Sequence, residues 1–386
     1  VGASLGIDGG PIFQILAVEN LGLSAAAIGL AFGFGVVSLP IQLYASRFPI
    51  ERARRNVQIS LVLAALQAWV LAVLVGIGAT GGWAAVALGV TVTAEISLSV
   101  FYATAWQPLL ASGLDTRGRQ RLNSTWPAIA RGVLAGAVVL FAALDSAGRS
   151  VFLAVIGALS IAAAIGLNAI AAPRPAPPAM PTTSVSRKSA TALAPATRIA
   201  LVVFAAVNVG AVPLWLVYLD KVLWPSANLG AIAAVQTVAA MAALLGWRST
   251  GGDVTRRALV AAIATLAAAA GIAFLDGPID SSAEQAVVVV ATALVAGGTT
   301  TVRIAMLEAA HRVVRPANTV RAFTLIDVVA STSLQAGLLV SGLLITASTG
   351  AAVRLTDPYR AFVVITSAAT IPAIVWFRRR SSEDDG

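Results

Sequence analysis

Long runs of hydrophobic residues, separated by short polar connections, follow one another along the whole chain. Twelve of these runs are long enough to cross the roughly 30 Å core of a bilayer, which takes about 20 helical residues each. Backbone polar groups in lipid must be satisfied within their own segment, so the runs are predicted to be α-helical. We place them at 1–18, 23–46, 57–78, 83–110, 124–144, 150–172, 198–219, 227–247, 256–275, 284–308, 320–346 and 359–377.

The composition argues against a large soluble helical protein and against several kinds of chemistry. Hydrophobic residues make up 58% of the 386 positions and charged residues 11%, which leaves too little polar surface for a soluble fold. There is no cysteine and one histidine, so we expect no disulfide and no metal site. The sequence has neither a Gly-x-x-x-x-Gly-Lys-Ser/Thr phosphate loop nor a catalytic constellation, so we expect no cofactor and no enzyme activity.

The basic residues divide the connections into two sets. Of the 26 Lys and Arg residues, 20 follow the even-numbered runs. Four follow the odd-numbered runs: Arg149, Lys221, Arg354 and Arg360. Basic residues near helix ends favour the cytoplasm, so both termini are predicted to be cytoplasmic. The formal charge of +9 then reflects membrane-flanking loops and not a nucleic-acid partner. Abundant Ala, Gly and Arg suggest a bacterial source and hence the inner membrane. Because Val1 already lies in a hydrophobic run, we expect a short tail before it.

A proline-rich segment separates the runs into two groups of six. Residues 173–197 form the longest polar connection and are predicted to be an extended cytoplasmic linker. Ser24–Leu30 and Pro225–Ala231 are similar in sequence and lie about 201 residues apart, which indicates a duplication. The predicted fold is an all-α polytopic membrane protein with two pseudo-symmetric six-helix bundles. The predicted domains are 1–172, the linker, 198–377 and a cytoplasmic tail over 378–386.

This organisation resembles the major facilitator superfamily, whose two halves are related by an axis along the membrane normal. Leu23–Gly29 is similar to the family's entry into its second helix. Residues 45–55 occupy the place of its signature loop, of which the basic cluster is present and the Gly and Asp are not. Ala105–Leu110 and Arg121–Ser124 are similar to the drug- and siderophore-exporting branch. The resemblance implies a monomer in which the first and fourth helices of each half line a central cavity.

Two carboxyl groups inside hydrophobic runs are candidates for proton coupling. Asp8 lies beside Gly9, Gly10 and Pro11 in the first run, and Glu95 lies near the middle of the fourth. Ionisable groups inside a membrane are costly and usually face a cavity or a partner. Desolvation raises a carboxyl pKa towards neutrality, as a proton carrier requires. A neutral, hydrogen-bonded structural role is the alternative for Asp8, and substrate binding is the alternative for Glu95. The resemblance would place both at the same cavity.

Three further charged residues lie within the runs. Arg303 and Asp327 have matching depths in the tenth and eleventh runs, so we expect an ion pair with a gating or architectural role. Arg131 pairs with Glu95 or extends to the inner interface. Candidate substrate-lining residues, for which helix packing is the alternative, are Gln14, Asn208, Trp215, Gln236 and Gln335. Trp215 and Tyr218 are better explained as part of an outer aromatic belt.

The sequence therefore predicts a secondary active transporter that binds a small-molecule substrate and protons within membrane lipid. Export of a hydrophobic or amphipathic compound by proton antiport is the first interpretation, because strong polar ligands are scarce in the runs. Proton-coupled uptake of a small metabolite or organic anion is the alternative. A membrane sensor or assembly partner that does not transport is the alternative from another class.

Overall fold

The computed structural model describes residues 10–38, 40, 53–94, 116–167, 214–249, 254–273, 275, 278–313, 319–349 and 357–383. Within these residues there are twelve α-helices and no strands. In chain order they are α1 Pro11–Ile15, α2 Ala25–Gly33, α3 Ala53–Gly76, α4 Gly81–Ala94, α5 Thr116–Ala143, α6 Ser146–Gly166, α7 Trp215–Tyr218, α8 Leu229–Ser249, α9 Val254–Ala273, α10 Ser282–Val313, α11 Thr319–Thr349 and α12 Pro358–Glu383.

Each α-helix falls within one of the twelve predicted hydrophobic runs or extends at most eight residues beyond either end of it. In the described part of the chain, six helices are long and hydrophobic enough to cross a membrane: α3, α6, α8, α9, α10 and α11. Large apolar side chains such as Leu66, Val70, Val155 and Leu159 are exposed on these helices. Such a surface suits contact with lipid, and the chain is a multi-pass membrane protein. The predicted linker, residues 173–197, lies outside the described residues.

Helix ends are set by local signals that recur along the chain. Ser24 is the N-cap of α2 and accepts a hydrogen bond from the Ala27 N–H, and Asp145 caps α6 through the Gly148 N–H. Side-chain oxygens at this position satisfy backbone N–H groups that the helix leaves free. Asn228 does the same before α8, where it accepts from the Ala231 N–H.

Three of the helices depart from regular α geometry. Both α1 and α7 continue into a π-helical turn, Leu16–Asn20 and Leu219–Leu223. These two turns lie 203 residues apart, close to the offset of the sequence repeat. The third, α2, continues into a 3₁₀ segment, Phe34–Ser38. π-Bulges and 3₁₀ stretches inside longer helices often mark functional sites or hinges.

The same helix pairs pack in both groups of six. In the first group α3 packs against α6, and in the second α9 packs against α12. The approach of α4 to α2 at Gly89 and Ala31 corresponds to the packing of α10 against α8. The chain thus forms two pseudo-symmetric six-helix sets, which we call the first set (α1–α6) and the second set (α7–α12).

The two sets meet along α2 with α11 and along α5 with α8. At one end of the molecule these contacts are very close. A Cβ atom added to Gly29 would lie 2.7 Å from the Gly342 Cα, and one added to Gly230 would meet the Ala142 Cβ. Gly29 and Gly230 lie 201 positions apart, and Ala142 and Gly342 lie 200 apart. The two contacts are therefore equivalent under the pseudo-symmetry of the fold.

Both contacts lie towards the end of the molecule where the odd-numbered connections join the helices. We call this the charge-poor end, because only four of the 26 basic residues belong to those connections. The opposite end is called the arginine-rich end. At the charge-poor end, the two sets are closed against each other along both helix pairs.

Candidate functional site at the centre of the two helix sets

The first residues of α1 and α7 bring the two sets into direct contact. Gln14 of α1 is buried, and its Oε1 accepts a hydrogen bond of 3.2 Å from the Leu216 N–H. Leu216 lies in the first turn of α7, where backbone N–H groups have no partner within the helix. Gln14, a predicted substrate-lining residue, thus caps a helix of the other set and lies at the interface of the two sets.

The backbone at the start of α7 is strained. Leu214 has a φ of 60° and is fully buried, although it carries a branched side chain. A left-handed conformation is unfavourable for such a residue and persists only where its surroundings enforce it. Here the Gln14 hydrogen bond and the packing of α7 hold the irregular start of the helix in place.

The aromatic residues of α7 are buried, so the prediction of an aromatic belt at the membrane surface is wrong. Trp215 is 4% exposed and Tyr218 is fully buried. The Trp215 Nε1–H donates to Thr292 Oγ1 of α10 at 2.9 Å, and its ring stacks on Tyr218 at 5.8 Å between centroids. Buried Trp and Tyr require such polar partners, and these were not evident from the pattern of α7 alone.

The predicted polar residues of α8 and α11 have different surroundings. Gln335 of α11 is fully buried, and neither of its amide atoms has a hydrogen-bond partner in the part of the chain that the structure describes. The hydroxyl of Thr332, one turn earlier, is likewise buried without a partner among the described residues. Gln236 of α8 is half-buried. Gln335 is therefore a predicted lining residue whose buried amide has no partner among the described residues.

The predicted charged residues are only partly defined. Asp8, Glu95 and Asn208 lie outside the described residues, and so does the side chain of Asp327. Arg131 is half-buried on α5, and Arg303 is exposed on α10. The pairing of Arg303 with Asp327 and the proton-coupling roles of Asp8 and Glu95 stay predictions.

A buried ionic cluster at the charge-poor end was missed in the sequence. Asp357 precedes α12, and its Oδ2 lies 3.1 Å from the Arg360 Nε. The Tyr218 hydroxyl donates to the same oxygen at 2.7 Å, and the Ser348 hydroxyl donates to Oδ1. Arg360 also donates to the Tyr218 hydroxyl and to the Leu275 carbonyl. The cluster joins the ends of α7, α9 and α11 to the start of α12.

A second cluster takes the equivalent place in the first set. Arg149, one turn into α6, donates to Glu19 at 2.6 Å and to Asn20 at 2.8 Å, both in the π-turn after α1. It also donates to the Phe141 carbonyl at the end of α5. The sequence contains a signal for the two clusters. An aspartate precedes both the sixth and the twelfth helix, and an arginine follows one turn later: Asp145 with Arg149, and Asp357 with Arg360.

A small cavity of about 40 Å³ lies inside the first set, between α1, α3 and α6. Its lining is apolar except for Gln67, which donates to the Thr91 carbonyl, and Ser160, which donates to the Ile156 carbonyl. Both polar groups have partners in the protein, so the cavity offers no polar recognition. It lies on the other side of α1 from the contact between Gln14 and α7.

Solved membrane transporters have the same fold over the whole chain. A bacterial homologue of the iron transporter ferroportin, in its outward-facing state, aligns over 99% of this chain and 98% of its own, with 16% identity and a TM-score of 0.66. Its inward-facing state aligns over 99% and 97%, with 15% identity and a TM-score of 0.60. FucP, a major facilitator superfamily transporter in the outward conformation, aligns over 97% and 96%, with 15% identity and a TM-score of 0.65.

The sequence comparisons give no match to a protein-family model and none to a curated protein. At identities near 15%, the structural likeness establishes the fold. With twelve helices in two equivalent sets, this polytopic membrane protein has the fold of the major facilitator superfamily transporters.

Proposed function

We propose that the protein is a secondary active transporter that works by alternating access. The observation that carries this proposal is the closure of one end of the molecule by two equivalent helix contacts, Gly29 with Gly342 and Gly230 with Ala142. Few side-chain atoms lie between these helices, so the sets can close tightly and separate as units. A rocking motion of two bundles about a site near the bilayer midplane is how this architecture supports transport.

The proposed substrate site lies between the sets at the level of Gln14 and Gln335. Gln14 and Trp215 are held by hydrogen bonds to Leu216 and Thr292, whereas the Gln335 amide has no partner among the described residues. Most side chains around α1 and α7 are apolar, including Ile15, Leu16 and Leu216. An apolar lining with few polar groups suits a hydrophobic or amphipathic substrate.

We further propose that protons drive transport through Asp8 and Glu95, with export by antiport as the direction. Proton binding would bias the two conformations only if the carboxyls have different affinities for protons in each. Asp357 is a poor candidate for the same role. It is paired with Arg360 and accepts hydrogen bonds from Tyr218, Ser348 and two backbone N–H groups, so both of its oxygens are already engaged within the protein.

Proton-coupled uptake of a small polar metabolite is the second candidate. The Gln335 amide, which has no partner among the described residues, favours it, because an amide can both donate to and accept from a hydroxyl or amide group of a solute. The resemblance to the drug- and siderophore-exporting branch supports the first candidate, which is export. Iron, named for the ferroportin homologue, is left out of the candidates because the described residues contain no group of three or more His, Cys, Asp or Glu side chains that could hold a metal ion.

Reconstitution with a pH-sensitive dye tests the proposal. Purified protein would be placed in liposomes, and lipophilic cations, siderophores, sugars, nucleosides and organic acids would be added in turn under an imposed pH gradient. We expect one class to trigger proton movement that Asp8→Asn or Glu95→Gln abolishes. The matched control is Glu284→Gln, which removes the charge of a half-buried carboxylate at the charge-poor end that is hydrogen-bonded to Ser281.

The outcomes separate the parts of this proposal. Proton flux retained in both carboxyl variants would contradict their coupling role but not transport. Substrate uptake without proton movement would contradict proton coupling. If radiolabelled members of every class fail both to bind and to cross the membrane in a folded sample, the non-transporting sensor or assembly partner becomes the better account.

A further inference from the structure

Two neighbouring residues of α11 carry buried polar atoms that have no hydrogen-bond partner in the described part of the chain. The hydroxyl of Thr332 and both amide atoms of Gln335 have no partner among the described residues, and Gln335 is fully buried. Buried polar atoms in proteins are nearly always paired. A buried polar atom without a partner has lost its hydrogen bonds to water and has gained none to protein. The free-energy cost of its desolvation is therefore not offset. Nothing among the described residues offsets this cost, so the closed conformation carries a free-energy penalty at these two residues.

Both residues lie on the face of α11 that contacts α2. Gln335 and Gly342 are seven residues apart, as are Thr332 and Leu339. Seven residues are close to two full turns, so each polar side chain leaves the helix in nearly the same direction as its later counterpart. Gly342 lies against Gly29. A Cβ added to Gly33 would lie 2.6 Å from the Leu339 Cβ, so Leu339 packs against Gly33.

The polar pair continues this contact towards the middle of the molecule. The two helices run antiparallel, because Gly29 faces Gly342 while Gly33, later in the chain, faces the earlier Leu339. One further turn leads along α2 into the 3₁₀ segment Phe34–Ser38, which also contacts α11. Separation of α2 and α11 would thus uncover Gln335 and Thr332 to the space between the two sets.

We propose that Thr332 and Gln335 act as a hydration switch that opposes closure of the charge-poor end. When α2 and α11 close, the hydroxyl and the amide lose water and gain no partner; when the helices separate, water pairs with both. The glycine contact stabilises the closed state, and the unpaired atoms destabilise it. Because the two effects oppose each other, the closed and open conformations stay close enough in free energy to exchange. This inference rests on the proposed alternating access, and it requires no substrate.

Distance measurement between the two sets tests the switch. The chain has no cysteine, so Thr80→Cys and Ala283→Cys provide unique spin-label positions, exposed at the charge-poor end on opposite sets. Electron–electron distance distributions would be recorded in lipid nanodiscs. We expect wild type to show a short and a long distance. Combining Thr332→Val with Gln335→Leu removes the unpaired atoms at similar volume and is expected to raise the closed-to-open ratio at least about fivefold.

Ser341→Ala is the matched control. Ser341 also has a buried hydroxyl without a partner among the described residues. It lies seven residues before Ser348, whose hydroxyl contacts Asp357 beside α12, so it faces the second set and not α2. Its removal is expected to raise thermal stability and leave the distance ratio unchanged.

The results separate the switch from the proposed function. An unchanged ratio in the double variant, or an equal shift in Ser341→Ala, would overturn the hydration switch while leaving alternating access standing. A wild type with only the short distance would also overturn the switch. If a Gly29→Ala protein likewise shows only the short distance, alternating access fails with it.

Discussion

Gly29 and Gly342 bring the backbones of α2 and α11 into direct contact at the charge-poor end. A Cβ on Gly29 would lie 2.7 Å from the Gly342 Cα, and a Cβ on Gly342 would lie 2.6 Å from the Ala25 carbonyl oxygen. These approaches involve backbone atoms, so a side chain at either position forces the helices to move apart. The smallest substitution at this contact should therefore change the balance between the two conformations.

Gly29→Ala is expected to shift the population towards the state that is open at the charge-poor end, by about tenfold or more. The spin-label pair at positions 80 and 283 measures this shift as growth of the long distance. Gly136→Ala is the matched control, because a Cβ there meets no atom within 4 Å. In an exposed helix this change is stabilising by up to about 1 kcal/mol. Equal distance distributions in the two variants would contradict the role of the glycine contact.

Arg360 and Asp357 form an ion pair whose side chains are each 8% exposed. Arg360→Met leaves a buried carboxylate without its counter-charge, which typically costs about 3–5 kcal/mol. We expect a marked fall in the midpoint of thermal unfolding in detergent. Lys221→Met breaks the pair with Asp220, whose side chains are 34% and 21% exposed, and should cost at most about 1 kcal/mol. Similar losses in the two variants would contradict a structural role for the cluster.

Arg149 should matter more to stability than its partner Glu19. The arginine is buried and donates to Asn20 and to two backbone carbonyls besides Glu19, whose side chain is 34% exposed. A double-mutant cycle with Arg149→Met and Glu19→Gln is expected to give a larger loss for the arginine and a coupling free energy of about 1 kcal/mol. Equal single losses, or no coupling, would show that the cluster does not hold α6 to the end of α1.

The positions of the helices could be predicted from the sequence, because the length of a hydrophobic run reports directly on its surroundings in a bilayer. The repeat was also visible, and Gly29 and Gly230 within it occupy equivalent contacts. The π-turns after α1 and α7 could not be predicted, since they depend on residues that are distant in the chain. Arg149, for example, reaches a π-turn about 130 residues earlier.

The two ionic clusters were missed for a related physical reason. Arg149 and Arg360 were counted among the basic residues of the odd-numbered connections, because a hydropathy pattern cannot show which carboxylate neutralises a charge. Trp215 and Tyr218 were assigned to a surface belt, because an aromatic residue with a polar tip suits either a membrane surface or a buried hydrogen bond. Thr292 and Asp357, which supply those bonds, lie on other helices.

The orientation in the membrane stays a prediction with a direct test. Because the chain lacks cysteine, single cysteines can be labelled with a membrane-impermeant maleimide in intact cells. Thr80→Cys and Ala283→Cys, exposed at the charge-poor end, should react from outside. Arg55→Cys and Arg256→Cys, exposed near the arginine-rich end, should react only after permeabilisation. The reverse pattern would contradict cytoplasmic termini.

Access to Leu339 tests alternating access most directly. This side chain lies between α11 and α2 against Gly33, and separation of the two helices would uncover it. In cells of established orientation, Leu339→Cys is predicted to react slowly with the impermeant maleimide from the charge-poor side, and about tenfold faster in a Gly29→Ala background. If Leu339→Cys stays unreactive in both backgrounds while Thr80→Cys is fully labelled, the two sets do not separate at this end and the account is contradicted.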